Sequence, residues 1–75
     1  MNENLAEAFG ARGYAYHKKG DNIKALSDLN EAIRLNQNLA YVYMNRASVY
    51  REQGRIDLAD ADTAIYNKLR AAGYW

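Results

Sequence analysis

The chain has 75 residues, with no cysteine and no proline. That length fits one small domain. A single core of this size supplies roughly 3–5 kcal/mol, with neither disulfides nor thiolate metal sites to reinforce it. Ten Lys and Arg against nine Asp and Glu leave a net charge of +1, which excludes a general electrostatic pull toward nucleic acid or an anionic membrane, and a 49% hydrophobic content excludes a disordered chain.

Four helices are predicted in chain order, an all-α fold, over about residues 4–18, 22–35, 39–53 and 56–72. The opening Met1-Asn2-Glu3-Asn4 has no basic segment and no long apolar run after it, so no leader is expected. The first helix stops at Gly20 and the third at Gly54, because glycine takes left-handed backbone geometry without strain. The second carries Leu26, Leu29 and Ile33 with Ala25 and Ala32 beside them, a helical and not an alternating spacing. Asn36-Gln37-Asn38 is a polar turn. No apolar run approaches the ~20 residues of a membrane span, so a soluble protein is expected, cytoplasmic by default.

The sequence repeats itself. The shift that brings Ala6 onto Ala40 also brings Phe9 onto Tyr43, Arg12 onto Arg46, Gly13 onto Ala47, Tyr16 onto Tyr50, Gly20 onto Gly54 and Ala25 onto Ala59. From Leu26 on, a shift shorter by two matches better by residue type: Leu26 with Leu58, Asp28 with Asp60, Ala32 with Ala64, Ile33 with Ile65. A two-residue deletion in the second copy, between Gly54 and Asp60, is therefore expected. Gly13, Ala25, Ala32, Ala47 and Ala64 are placed where helices approach closely. Phe9, Tyr16, Leu29, Tyr43 and Tyr50 fill the space between, as ridge-into-groove packing requires.

This order of aromatic, small residue, Tyr, Gly, Ala, Leu, Ala resembles the tetratricopeptide repeat (TPR) family, whose period of about 34 residues it shares. One domain over residues 1–75 follows, with repeat 1 at about 6–39 and repeat 2 at about 40–72. Arg12 and Arg46 depart from the family's usual Leu, and Gln37 from its frequent Pro. The resemblance implies a protein or peptide partner bound on a concave face made by the first helix of each repeat. Mapped onto this chain, that face holds Glu7, Gly10, Ala11, Tyr14, His17 and Lys18, then Tyr41, Met44, Asn45, Ser48, Arg51 and Glu52. One subclass grips a peptide's carboxylate. Only Asn45 matches its pattern, while Gly10 and Tyr14 do not, so that grip is not expected.

Catalysis has little to stand on. His17 is the single histidine, and it reads as a solvated side chain next to Tyr16. Ser27 and Ser48 sit in no strained turn, and five scattered glycines form no phosphate loop. Asp57, Asp60 and Asp62 lack the loop of a calcium site and read as a solvated helix face. A non-enzymatic protein without cofactor or metal is expected. The mapped face sets His17, Lys18 and Arg51 against Glu7 and Glu52, too neutral for nucleic acid.

Self-association is the rival role. Repeat arrays bury faces on neighbours, and Leu58, Ala61, Ile65, Leu69, Tyr74 and Trp75 have little to cover them in so small a chain, so a homo-oligomer is expected, and an excised or engineered fragment of a longer array would leave the same residues bare. Two forms stay open. In one, Gly54 ends the third helix and intact hairpins stack. In the other, the third and fourth helices run straight through Gly54 and exchange between chains, because Tyr43, Ala47, Tyr50, Leu58, Ala61, Ile65 and Leu69 then share one stripe.

Overall fold

The computed structural model describes residues 2–75, with side chains from residue 4 onward. Four helices form, α1 (Asn2–Lys18), α2 (Asn22–Leu35), α3 (Ala40–Glu52) and α4 (Ile56–Ala71), with no strand among the described residues. Helices α1 and α2 make one hairpin and α3 and α4 a second, while α2 packs against α3 and α1 touches α3.

Both hairpins turn in the same way. Gly20 and Gly54 adopt φ of 85° and 76°. Each sends its own amide and the next one back to the helix: Gly20 to His17 and Asp21 to Tyr16, Gly54 to Arg51 and Arg55 to Tyr50. This closes the orphan carbonyls of α1 and α3. Asp21 then caps α2 by accepting from the Lys24 amide at 3.1 Å, whereas Arg55 gives α4 no side-chain cap. Of the two readings of Gly54, the structure takes the hairpin.

The core consists of Ala25, Leu29, Ala32, Val42 and Val49, with Phe9, Tyr16, Leu26, Ile33, Leu39 and Tyr41 packed around it. Two glycines allow the close approaches. A Cβ on Gly13 would lie 2.9 Å from Leu29 Cγ, and one on Gly10 would lie 2.9 Å from the Tyr41 hydroxyl.

The expected two-residue deletion is absent. Helices α2 and α4 begin at Asn22 and Ile56, separated by the same shift that carries Ala6 onto Ala40. The Arg12–Asp28 ion pair has its counterpart in Arg46–Asp62 at the same separation. The shorter shift matched residue types, whereas the fold matches roles. Asp62 is the buried equivalent of Asp28, and Asp60 is exposed. In the true register Leu26, Leu29, Asn30 and Ile33 correspond to Asp60, Thr63, Ala64 and Asn67. Helix α4 therefore lacks the apolar face that α2 turns toward α3, and Ala64, expected at a close approach, is exposed. Leu58, Ala61 and Ile65 take the places of Lys24, Ser27 and Glu31 on the outer side.

After α4 the chain doubles back. Gly73 has φ of 96°, and the Tyr74 amide donates to the Leu69 carbonyl. The Trp75 carbonyl accepts from the Tyr41 amide at 2.8 Å, filling the cap that Leu39 cannot supply at the start of α3. Arg70 stacks 4.3 Å from the Trp75 ring centroid.

Candidate protein-binding face

The stripe Glu7, Gly10, Tyr14, His17 recurs at helical spacing along α1, and it adjoins α3. Tyr14 is 45% exposed, with the Lys18 ammonium 5.4 Å from its ring centroid. Tyr41 lies over Gly10 and is half-buried. Burial pushes its phenol pKa up, and the Glu7 charge adds to the effect. Met44, Asn45 and Ser48 are half-buried on α3.

His17 is not a solvated histidine. Its side chain is 12% exposed, and Nε2 donates to Glu52 Oε2 at 2.7 Å, tying α1 to α3. Asn22 reaches the other Glu52 oxygen at 3.3 Å. Both bonds, the His17 bond first, hold the Glu52 carboxyl below the usual carboxylate range. Nδ1 of His17 and Oδ1 of Asn22 are buried without a hydrogen-bond partner among the described residues. Arg51 turns to α4 instead, where it donates to Asp60 at 3.4 Å and Thr63 at 3.3 Å.

Of the residues expected in self-association, Leu58, Ile65 and Ala61 are exposed on α4, while Leu69 is half-buried. Tyr74 and Trp75 lie beside the chain's own inter-repeat turn, in a cleft of about 410 Å³ that also involves Glu7, Asn38 and Tyr41. Asp62, expected on a solvated face, is 2% exposed. Its carboxylate accepts two 2.8 Å bonds from Arg46.

These ion pairs are what the sequence reading missed. Arg12 donates through Nε and Nη2 to Asp28 at 2.6 and 2.9 Å. Arg46 repeats the fork on Asp62 and spends Nη1 on Asn30 of α2, also at 2.8 Å. Its partner Asp62 holds the Arg46 pKa above its ordinary value, against the effect of burial. The arginines lie among aromatic rings, Arg12 by Phe9 and Tyr16, Arg46 by Tyr43 and Tyr50. The signal was visible: an Arg at the same place in each repeat, each followed at one fixed separation by an Asp.

No helix among the described residues is long and apolar enough to cross a membrane, and no group of His, Asp and Glu there is placed to hold a metal ion. Over 64 residues the chain is 34% identical to Drosophila melanogaster ionotropic receptor 75a. That match covers 84% of this chain and 10% of the receptor, so the likeness concerns one segment of that protein. No solved structure matches significantly. A family model described as TPR repeat matches residues 13–54, more than half of the chain. With four helices in two like-built hairpins behind that match, the chain belongs to the TPR family, whose repeats are non-enzymatic and generally serve protein–protein interaction.

Proposed function

We propose that the chain is a non-enzymatic protein-interaction module that takes a peptide or partner helix on the face shared by α1 and α3. Tyr14 carries this reading. It is a large aromatic left 45% exposed on the helix that touches α3, and exposed aromatics with a polar tip are favoured anchors. Lys18 and the paired His17 and Glu52 supply a mixed polar rim, and Tyr41 the apolar wall. Arg51 contributes less than its position implies, because Asp60 and Thr63 draw it to α4. The ligand is protein and not nucleic acid, and no cofactor takes part. Selecting binders from a displayed peptide library tests this. Selected peptides should lose affinity for Tyr14→Ala and Asn45→Ala while circular dichroism stays unchanged. Peptides indifferent to both substitutions would refute the site.

A second reading, self-association, is favoured by Leu58 and Ile65, 44% and 38% exposed on α4 with Ala61 between them. A second copy covering that stripe removes apolar area worth ~25 cal/mol per Å². Light scattering should then show a mass that rises with concentration, and a chain monomeric at hundreds of micromolar rules it out.

A further inference from the structure

We propose that the cleft between the turn at residues 36–38 and the 73–75 segment binds the guanidinium of an arginine in the partner polypeptide, over the Tyr41 and Tyr74 rings and against the Glu7 carboxylate. The source of that arginine rests on the peptide reading of the α1–α3 face. The cation site itself rests on the cleft.

Backbone bonds fix the walls. Asn36 Oδ1 accepts from the Asn38 amide at 2.9 Å and sets the turn, and the Trp75 carbonyl accepts from the Tyr41 amide at 2.8 Å. Gly10 lets Tyr41 lie against α1 one turn from Glu7, close enough for the Glu7 charge to act on the phenol. The space enclosed is about 410 Å³, within the range of small-ligand sites. Its lining has one carboxylate and no Lys or Arg. Glu7 has no ion pair among the described residues.

The aromatic rings carry the inference. Phe9, Trp75 and every other tyrosine have a Lys or Arg of this chain over the ring. Tyr41 and Tyr74 have none among the described residues, and both line this cleft beside the unpaired carboxylate. A ring's negative face and a carboxylate both attract a cation. A guanidinium suits the pair better than an ammonium, because it lies flat on a ring and keeps in-plane donors for a carboxylate. The chain itself uses that combination where Arg46 forks onto Asp62 beside Tyr43 and Tyr50. Arg70 does not fill the site. It stands outside the lining, on Trp75, and donates to the Tyr66 hydroxyl at 3.1 Å. Roughly 16 Å further along α1, Lys18 already covers Tyr14, so the face is polarised and accepts a basic residue at its Glu7 end.

The probe is N-acetyl-arginine methylamide, an arginine without charged termini, titrated into the isotope-labelled full chain by NMR. Saturable shifts centred on Tyr41, Tyr74 and Trp75 are expected at millimolar probe. The citrulline analogue keeps the shape without the charge and should bind at least about threefold more weakly. The lysine analogue should also be weaker. Glu7→Gln should weaken the arginine probe about threefold and remove most of its advantage over citrulline. Tyr74→Leu should weaken it similarly. Both positions are exposed, so two independent variants keep the test valid if one misfolds. Tyr14→Ala should leave probe binding intact while it weakens library-selected peptides, so failure of the cleft and failure of the α1–α3 face read differently. Equal binding of citrulline, a preference for lysine, indifference to both variants, or no saturation at tens of millimolar would overturn the proposal. So would tighter binding of free arginine than of the blocked form, since the ligand would then be a small molecule and not a polypeptide.

Discussion

Replacing Arg46 by Met removes three 2.8 Å hydrogen bonds, two to Asp62 and one to Asn30, while keeping most of the side-chain volume. The Asp62 side chain is 3% exposed, so its charge is left buried with no partner. Losing one member of a buried pair typically costs about 3–5 kcal/mol, most of it the penalty for the stranded charge. That equals the whole of the roughly 3–5 kcal/mol that a domain of this size has. A loss of about 3 kcal/mol lowers Tm by about 12–24 °C in a domain this small, which takes a parent melting at about 45–65 °C down to about 21–53 °C. Arg12→Met is the control. It also strands a buried carboxylate, since the Asp28 side chain is 6% exposed, but Arg12 is 60% exposed, so water reaches the place it leaves, and it has no third bond, so the loss is smaller. Arg46→Met with Asp62→Leu should recover much of the stability, because no charge is stranded. Thermal and urea melts followed by circular dichroism measure all of these variants. If the double variant is as unstable as the single, the stranded carboxylate is not the cause.

Gly13→Ala should destabilise by about 1–2 kcal/mol, since the added Cβ meets Leu29 Cγ at 2.9 Å and the Ala25 carbonyl at 3.2 Å, and crowding outweighs the gain of about 1 kcal/mol in helix propensity. A melt showing stabilisation would contradict this. Inserting Leu-Ala after Ala59 rotates Asp62 by ~200° away from Arg46, so it should unfold the second hairpin and not repair it; retained helicity and Tm would show that the register pairing Asp28 with Asp62 is wrong. Glu52 is held below its usual pKa by His17 and Asn22. Its stabilising effect is therefore present above the unfolded carboxylate pKa and is lost as pH falls through the lower folded value. Glu52→Gln should flatten that acid limb of a stability–pH curve, and an unchanged limb would assign the loss to other carboxylates.

All four helices were legible in the sequence because their ends are marked locally. Gly20 and Gly54 stop two of them, Asn36 to Asn38 breaks the chain between repeats, and no proline interrupts a periodic stretch. The ion pairs were hidden because Arg12 and Arg46 were compared with an apolar family pattern. Their meaning lies far along the chain, on another helix. The false deletion had a similar source. Leu58 and Ile65 resemble Leu26 and Ile33 in type, yet only the buried Asp62 holds the position of Asp28. On the candidate binding face, Tyr14 could be placed from helical spacing alone. The packing of Tyr41 over Gly10 and the pull of Asp60 on Arg51 could not, because both depend on how two helices meet.

The two ends of the molecule differ in chemistry, and the difference can be reversed by design. Helix α1 presents Leu5, Phe9 and Arg12, a surface of the kind that α2 covers elsewhere in the same chain. Helix α4 presents Asp60, Thr63 and Asn67, a wet face of the kind that ends a repeat array. If that polarity alone prevents stacking between copies, Asp60→Leu, Thr63→Leu, Ala64→Asn and Asn67→Ile together should turn α4 into an imitation of α2. Ala47→Gly must accompany them, because repeat 1 pairs Gly13 with Leu29 and leaves no room for a methyl group there. The new face would fit α1 of the next copy with an amide for Arg12. Such a contact is head-to-tail and does not close on itself, so the product is an open filament and not a dimer. Sedimentation should show assemblies growing with concentration, and Leu5→Glu in the same background should return the monomer. A helical variant that stays monomeric would show that the α1 face does not accept a helix of this pattern.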